Sequence, residues 1–370
     1  MTATGGAEPP PRGGNSGGSP PRSAPARRWP WAVLAVAAAA ACFAAFVARG
    51  RSPTATILRE RAALRFSDEQ RAAQAAHRLG ELGARSAVGD LAAFIERAPS
   101  SGAELAYQSL ARIGDPRAIP FLERAARGEI AYEDPRLAGL LREQDRKWAL
   151  VALVALGQKS AEATVIDGLL DTNGKILERK DFAMALVGSS APRATEALEH
   201  VARDEADDRN VRLAAIKSLA LSGDPARLRT ALEVLATITD PRLLDGAIRF
   251  VAVAEPPLEG SPFGVAVRER PEPLRTASLL LAGDTAIRSD VEARSPGLGP
   301  AIEDALYTLA SARAATRGAM RARIEERLCW LARFRQGGNV ALPEEARERR
   351  EAGIAQALVD GCGNATAPGE

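Results

Sequence analysis

The chain has 370 residues, room for two or three ordinary domains or for one long repeat array. Aromatic residues make up only 4% and charged residues 26% with both signs interspersed, a balance that suits many short amphipathic helices and argues against a large β-sheet domain. The formal net charge of +2 excludes a strong basic footprint for nucleic acid, and the dominance of Arg, 44 of 49 basic residues, fits a GC-rich genome.

Residues 1–28 hold Pro, Gly, Ser and Arg with almost no large apolar side chain, so a disordered tail is expected there. From Trp31 to Ala48 run 18 residues without a charge, just long enough to cross the hydrocarbon core as a helix. Ten of them are Ala, which makes the span marginal, while Trp29 and Trp31 fit an interfacial position. Three readings of residues 29–48 stand: an uncleaved transmembrane anchor, a cleaved signal sequence, and a lipoprotein signal at Ala39-Ala40-Ala41-Cys42. The anchor is preferred because the apolar run continues past Ala41. Arginines flank both ends, so the count of positive charges does not fix the orientation.

Between residues 67 and 240 the chain repeats itself. The phrase Leu110-Ala111-Arg112-Ile113-Gly114-Asp115-Pro116-Arg117-Ala118-Ile119-Pro120-Phe121-Leu122 returns in weaker form around Gly83, Gly157, Gly188 and Gly223, at intervals of 31, 43, 31 and 35 residues. The long interval contains an insertion, Ile130 to Gln144. Each unit predicts one helix ending at a left-handed Gly, then a second helix capped by Asp with Pro in its first turn, as at Asp115-Pro116, Asp224-Pro225, Asp240-Pro241 and, inside the insertion, Asp134-Pro135. Apolar residues recur at i, i+3, i+4 and i+7 in second helices (Val88, Leu91, Ala92, Ile95; Ala194, Ala197, Leu198, Val201; Leu228, Ala231, Leu232, Leu235). Ala149, Ala152, Leu153 and Leu156 do the same in a first helix. No single helix pair buries such a stripe alone, so the units are expected to stack into one core.

These units resemble HEAT repeats, specifically the short kind named after phycobilisome lyases. The resemblance covers about half of the chain and implies an all-α, HEAT-like α-solenoid, an α–α superhelix. It implies no reaction, because such repeats occur in many scaffolds and carry no catalytic motif. Residues 241–297, broken by Pro256, Pro257, Gly260, Pro262 and Gly264, are expected to be a loop or a divergent repeat. Residues 298–362 read as a helical cap, with Ile324, Leu328, Leu331 and Ala332 as its apolar stripe, followed by a disordered tail at 363–370.

Chemical candidates are few. His77 and His200 are the only histidines, and neither has a Cys, His or carboxylate partner at ligand spacing in the sequence, so no metal and no cofactor is expected. Asp204, Glu205, Asp207 and Asp208 lack calcium-loop spacing and read as a solvated inter-repeat turn. With Cys42 in the apolar segment, Cys329 and Cys362 remain. They lie on two helices joined by Gly337-Gly338-Asn339 and are a disulfide candidate that would place the cap in an oxidising compartment such as the periplasm, the alternative being two free thiols.

The expected function is a non-catalytic scaffold, not an enzyme, held as a single-pass protein in a bacterial inner membrane with a periplasmic solenoid. Its partner is expected to be a protein or peptide, with neither nucleic acid nor a small-molecule substrate. Family geometry puts second helices on the concave side, making Arg117, Arg124, Arg193, Arg227 and Arg229 the candidate contacts; a merely solubilising surface is the alternative. The repeat subfamily also implies a different class, a lyase or isomerase subunit acting on a bilin-like chromophore, which visible absorbance of the purified protein would reveal.

Overall fold

Aspartates open many of the helices and glycines close them. Asp115, Asp224 and Asp240 each accept a hydrogen bond from the backbone N–H two residues on, with Pro in the first turn, and Asp68 and Asp208 cap two further helices without Pro. Gly83, Gly114, Gly157 and Gly223 take the left-handed conformation at the helix ends, with φ from 59° to 77°. Gly188 departs from the pattern: the chain leaves its helix through the 3-10 turn Leu186–Gly188 and needs no left-handed residue.

The computed structural model describes residues 52–97, 101–130, 138–255, 261–293, 297–335 and 344–362. The chain divides into two units after Thr56, and of the first only Ser52–Thr56 are described. The tail at 1–28, the apolar segment at 29–48, Asp134-Pro135 and the tail at 363–370 all lie outside the described residues. Among the described residues there are eighteen α-helices and no strand, and no helix is long and apolar enough to cross a membrane.

After α1 (Pro53–Phe66) the helices alternate between two layers. One layer holds α2 (Glu69–Glu81), α4 (Ser101–Ile113), α6 (Ala138–Ala155), α8 (Ile176–Ala185), α10 (Arg209–Leu221), α12 (Pro241–Ala254), α14 (Leu274–Ala282) and α16 (Gly299–Ala315), each packed on the next. The other holds α3 (Val88–Arg97), α5 (Ile119–Ala126), α7 (Lys159–Leu170), α9 (Pro192–Arg203), α11 (Pro225–Leu235), α13 (Pro262–Arg268) and α15 (Thr285–Glu292). The last two helices, α17 (Gly318–Ala332) and α18 (Glu344–Cys362), pack on α16 and on each other. This stacking of helical pairs is consistent with an α-solenoid. The stretch 241–293 continues it as helices α12 to α15, and Asp240-Pro241 therefore opens a first-layer helix, not a second one.

Burial distinguishes the layers. α10 buries Val211, Ala214, Ala215, Ile216, Ser218, Leu219 and Ala220, and α16 is similarly covered on most sides from Ala301 to Ala312. α9, by contrast, buries a single stripe of Ala194, Ala197, Leu198, Val201 and Ala202. The first layer is therefore the inner one. Small residues let its helices approach closely: a Cβ on Gly80 of α2 would lie 2.9 Å from the Ser109 Cα of α4.

Arginine ties the layers together at helix ends, where carbonyls lack partners. Arg179 of α8 donates to the Leu169 carbonyl that ends α7, and Arg212 of α10 donates to the Ala202 carbonyl that ends α9, the same contact one repeat later. Arg317 reaches the Ala111 and Ala155 carbonyls at the ends of α4 and α6, while Arg327 reaches those of Val253 and Leu281 at the ends of α12 and α14. The Arg-rich composition thus has a structural use beyond codon bias.

Candidate functional site

Along the inner layer, polar groups come from successive helices to one half-buried strip. Glu104 and Gln108 lie on α4, Lys147 and Trp148 on α6, Lys180 and Asp181 on α8, and Lys217 on α10. Only five of the 49 basic residues are lysines, and three of these five line the strip at intervals of 33 and 37 residues, close to the repeat length. Lys147 Nζ lies 2.8 Å from Asp181 Oδ2 and 4.0 Å from the centre of the Trp148 ring. Burial raises the pKa of Glu104, with the Lys147 charge opposing and the Asp181 charge reinforcing that shift.

Lys217 has no carboxylate within ion-pair distance among the described residues. Its amine donates to Ser311 Oγ at 2.8 Å and stands 4.5 Å above the Phe250 ring. Burial, and then the charge of Lys180, pull its pKa down to about 8. Lys180 likewise has no hydrogen-bond or ion-pair partner among the described residues. The Lys180 charge disfavours the charge on Lys217 and favours that on Glu104, so it is shared between the two ends of the strip.

The residues expected to make contacts lie elsewhere and are scattered. Arg117, Arg124, Arg193 and Arg229 are exposed on the outer layer. Arg117 folds back on Asp115 and the Arg85 carbonyl, Arg124 pairs with Glu96 at 3.3 Å, and Arg193 pairs with Asp167 at 2.6 Å. Arg227 does not point outward at all: it is 2% exposed and donates to the Leu186 carbonyl and Thr195 Oγ1. Asp207 is not solvated either, being buried in a two-pronged pair with Arg179, both contacts at 2.6 Å.

A second cluster sits where the C-terminal helices meet the start of the inner layer. His77 Nε2 lies 2.8 Å from Asp360 Oδ2, a partner 283 residues away that local spacing could not reveal. His77, Glu81 and Asp360 offer ligand atoms within 4.8 Å of one another, as a metal would need. However, Arg112, Arg313 and Arg321 already engage Glu81, and Arg313 also pairs with Glu325 and Asp360. Three guanidiniums balance three carboxylates, so a dication would be repelled, and the cluster works as a clamp. Close by, Cys329 and Cys362 are joined, with Cα atoms 5.6 Å apart.

A cavity of 240 Å³ lies between α14, α15 and α17, lined by Leu280, Arg288, Arg327 and Trp330 among others. Two of its three arginines are engaged: Arg327 caps carbonyls, and Arg288 stacks on Trp330 and pairs with Glu292. Neither a protein-family model nor a curated protein matches the chain.

Proposed function

We propose that the chain is a non-catalytic scaffold of HEAT-like repeats, tethered to a bacterial inner membrane through residues 29–48, that binds a protein or peptide along its inner strip. The observation that carries this reading is the row of Lys147, Lys180 and Lys217 on successive inner helices, interleaved with Trp148 and Phe250 and only half-buried. Charged amines beside aromatic faces, repeated at the period of the fold, suit an extended partner that touches one repeat after another. The outer arginines suit this role less well, since three of the four are held by acceptors of the chain itself. A periplasmic position for the helical part agrees with the Cys329–Cys362 bond.

The test is crosslinking and affinity capture with the full chain expressed in a bacterial host. Lys147→Glu and Lys180→Glu are expected to lose partners that the wild type retains, while Arg193→Glu and Arg229→Glu keep them. Partners retained by both strip variants would overturn the reading. Reporter fusions after Glu370 test the topology separately, with a periplasmic C-terminus expected.

A further inference from the structure

We infer that α1 docks on the phospholipid surface, with Leu58, Ala62 and Phe66 inserted between headgroups and Arg59 and Arg65 reaching the lipid phosphates. The inference rests on the tether reading of residues 29–48 and adds a membrane-binding face on the repeat stack itself.

The two sides of α1 meet different surroundings. Glu60 and Leu64, at i and i+4, are buried against the repeats that follow, where Glu60 pairs with Arg71 and Arg78 of α2. Leu58, Ala62 and Phe66 recur at the same spacing on the opposite side, and all three are exposed. Phe66, at 83%, is the most exposed large apolar residue among those described. The end helix of a repeat stack ordinarily turns a polar face outward, because no further repeat covers it. Here that face carries an apolar stripe, which calls for a cover of another kind.

The length of chain before α1 points to the cover. The charge-free run ends at Ala48, five residues before Pro53. Five residues span at most about 17 Å even when fully extended. A chain held in the bilayer through that run therefore keeps the start of α1 within that reach of the hydrocarbon boundary. The flanking side chains suit the headgroup layer: Arg59 stands next to Leu58 and Arg65 next to Phe66, both exposed. Cations also outnumber acids around α1. Arg59, Arg71 and Arg78 share Glu60, Arg61 and Arg65 share Asp90, and Arg97 holds the Leu64 and Arg65 carbonyls. With Asp68 and Glu69 just past the helix, six guanidiniums face four carboxylates. Such a surplus is drawn to lipid phosphates, and arginine stems cover apolar area while their heads stay among polar groups. A second copy of the chain would bring the same surplus to the face and be repelled, so charge favours lipid over self-association.

The cysteine count makes the test direct. In the full chain, Cys42→Ser leaves only the bonded Cys329 and Cys362, so one introduced thiol takes an environment-sensitive fluorophore. The chain is reconstituted in vesicles of phosphatidylethanolamine and phosphatidylglycerol, and the quencher is a lipid with a nitroxide near the carbonyl end of its chains. Labels at Phe66→Cys and Leu58→Cys are expected to shift to the blue and to be quenched several-fold more than one at Leu177→Cys, on α8 and 68% exposed. A label at Ala62→Cys should lose most of its quenching when Leu58→Asp and Phe66→Asp are added, at two exposed positions with few contacts to lose. Unquenched labels at 58 and 66, equal quenching at 177, or quenching at 62 that survives both aspartates would each overturn the inference. A blue shift without quenching, accompanied by a 66-to-66 disulfide, would give the face to a second copy instead. Washing with alkaline carbonate separates this inference from the reading beneath it. A wild-type chain stripped from the vesicles removes the tether and the docking face together, whereas a retained chain with unquenched labels keeps the tether and removes the docking face alone.

Discussion

Arg313 of α16 and Glu81 of α2 lie 232 residues apart in the chain and 2.9 Å apart in space. Arg313 is 4% exposed and serves Glu325 and Asp360 as well, so one guanidinium joins α2, α16, α17 and α18. Removing one partner of a buried ionic cluster leaves uncompensated charge, which costs about 3–5 kcal/mol. Arg313→Met is expected to lower stability by that order. Amide exchange should rise in α2 and α18 together, because the same side chain holds both. Faster exchange in α18 alone would show that the clamp does not extend to α2.

Asp145 of α6 is 6% exposed and has no ion pair among the described residues; the Tyr107 hydroxyl faces it without good hydrogen-bond geometry. Burial raises its pKa from 3.8 to about 7, with Tyr107 opposing the rise. The native state therefore holds a proton that the unfolded chain has released between these two values. Its contribution to stability is complete below pH 3.8 and is lost as pH rises to 7. Asp145→Asn should abolish that slope and, above pH 7, unfold later than wild type in denaturant by about 2 kcal/mol, the two curves meeting at acid pH. A variant no more stable than wild type at pH 8 would show that the carboxylate is better solvated than its burial implies.

Arg227 and Arg229 are two residues apart and face opposite environments. Arg227 is buried and supports the Leu186 carbonyl, where the chain leaves α8 without a left-handed glycine. Arg229 is exposed. Arg227→Met should cost about 2–3 kcal/mol by leaving a buried carbonyl and the Thr195 hydroxyl short of a partner, whereas Arg229→Met should stay within about 0.5 kcal/mol. Thermal unfolding of the two variants side by side decides the matter, and equal effects would overturn the assignment.

What the sequence made legible was periodic, and what it hid was long-range. The Asp-Pro starts, the left-handed glycines and the apolar stripes are local devices, and they mark most repeat helices correctly. Burial needed more than a stripe. Arg117 stands two residues after its Asp and Arg227 three after its own, and that one-residue difference decides burial: Ala118 is buried as Arg227 is, and Ala226 is exposed as Arg117 is. Which layer is the more deeply buried was hidden for a related reason. α9 and α10 both carry apolar spacing, and only α10 adds small or apolar residues on its remaining sides. The lysine row was visible as three residues at near-repeat spacing, but Arg dominated the count of basic residues and hid it. Nothing local could have linked His77 to Asp360 or Lys217 to Ser311.

Two glycines within helices should respond in opposite directions to the same substitution. On Gly80 a new Cβ would stand 2.5 Å from Ser109 Oγ and 2.9 Å from Ser109 Cα, so α2 and α4 would have to part. Gly80→Ala is expected to cost about 1–3 kcal/mol through overpacking. At Gly353, exposed on α18, nothing lies within 4 Å of the added carbon, and Gly353→Ala should stabilise by about 0.5–1 kcal/mol through the unfolded chain. Gains at both positions would mean that α2 and α4 are packed less closely than Gly80 indicates.

The bond between Cys329 and Cys362 closes a loop of 33 residues in sequence separation. A crosslink of that span stabilises by about 3–4 kcal/mol through the unfolded chain, so reduction should lower the stability of the whole helical unit by that order. The local consequence is more specific. Asp360, two residues before Cys362, carries the contact to His77 and approaches Arg313 at 3.6 Å, so the bond and the clamp hold the same end of α18. Breaking either should weaken the other. A double-mutant cycle of Cys329→Ser and Asp360→Asn, read by unfolding in denaturant, is therefore expected to give an interaction energy above about 0.5 kcal/mol. Strict additivity would mean that α18 is docked by its apolar residues, Ile354 and Ala357, with the disulfide and the clamp acting separately.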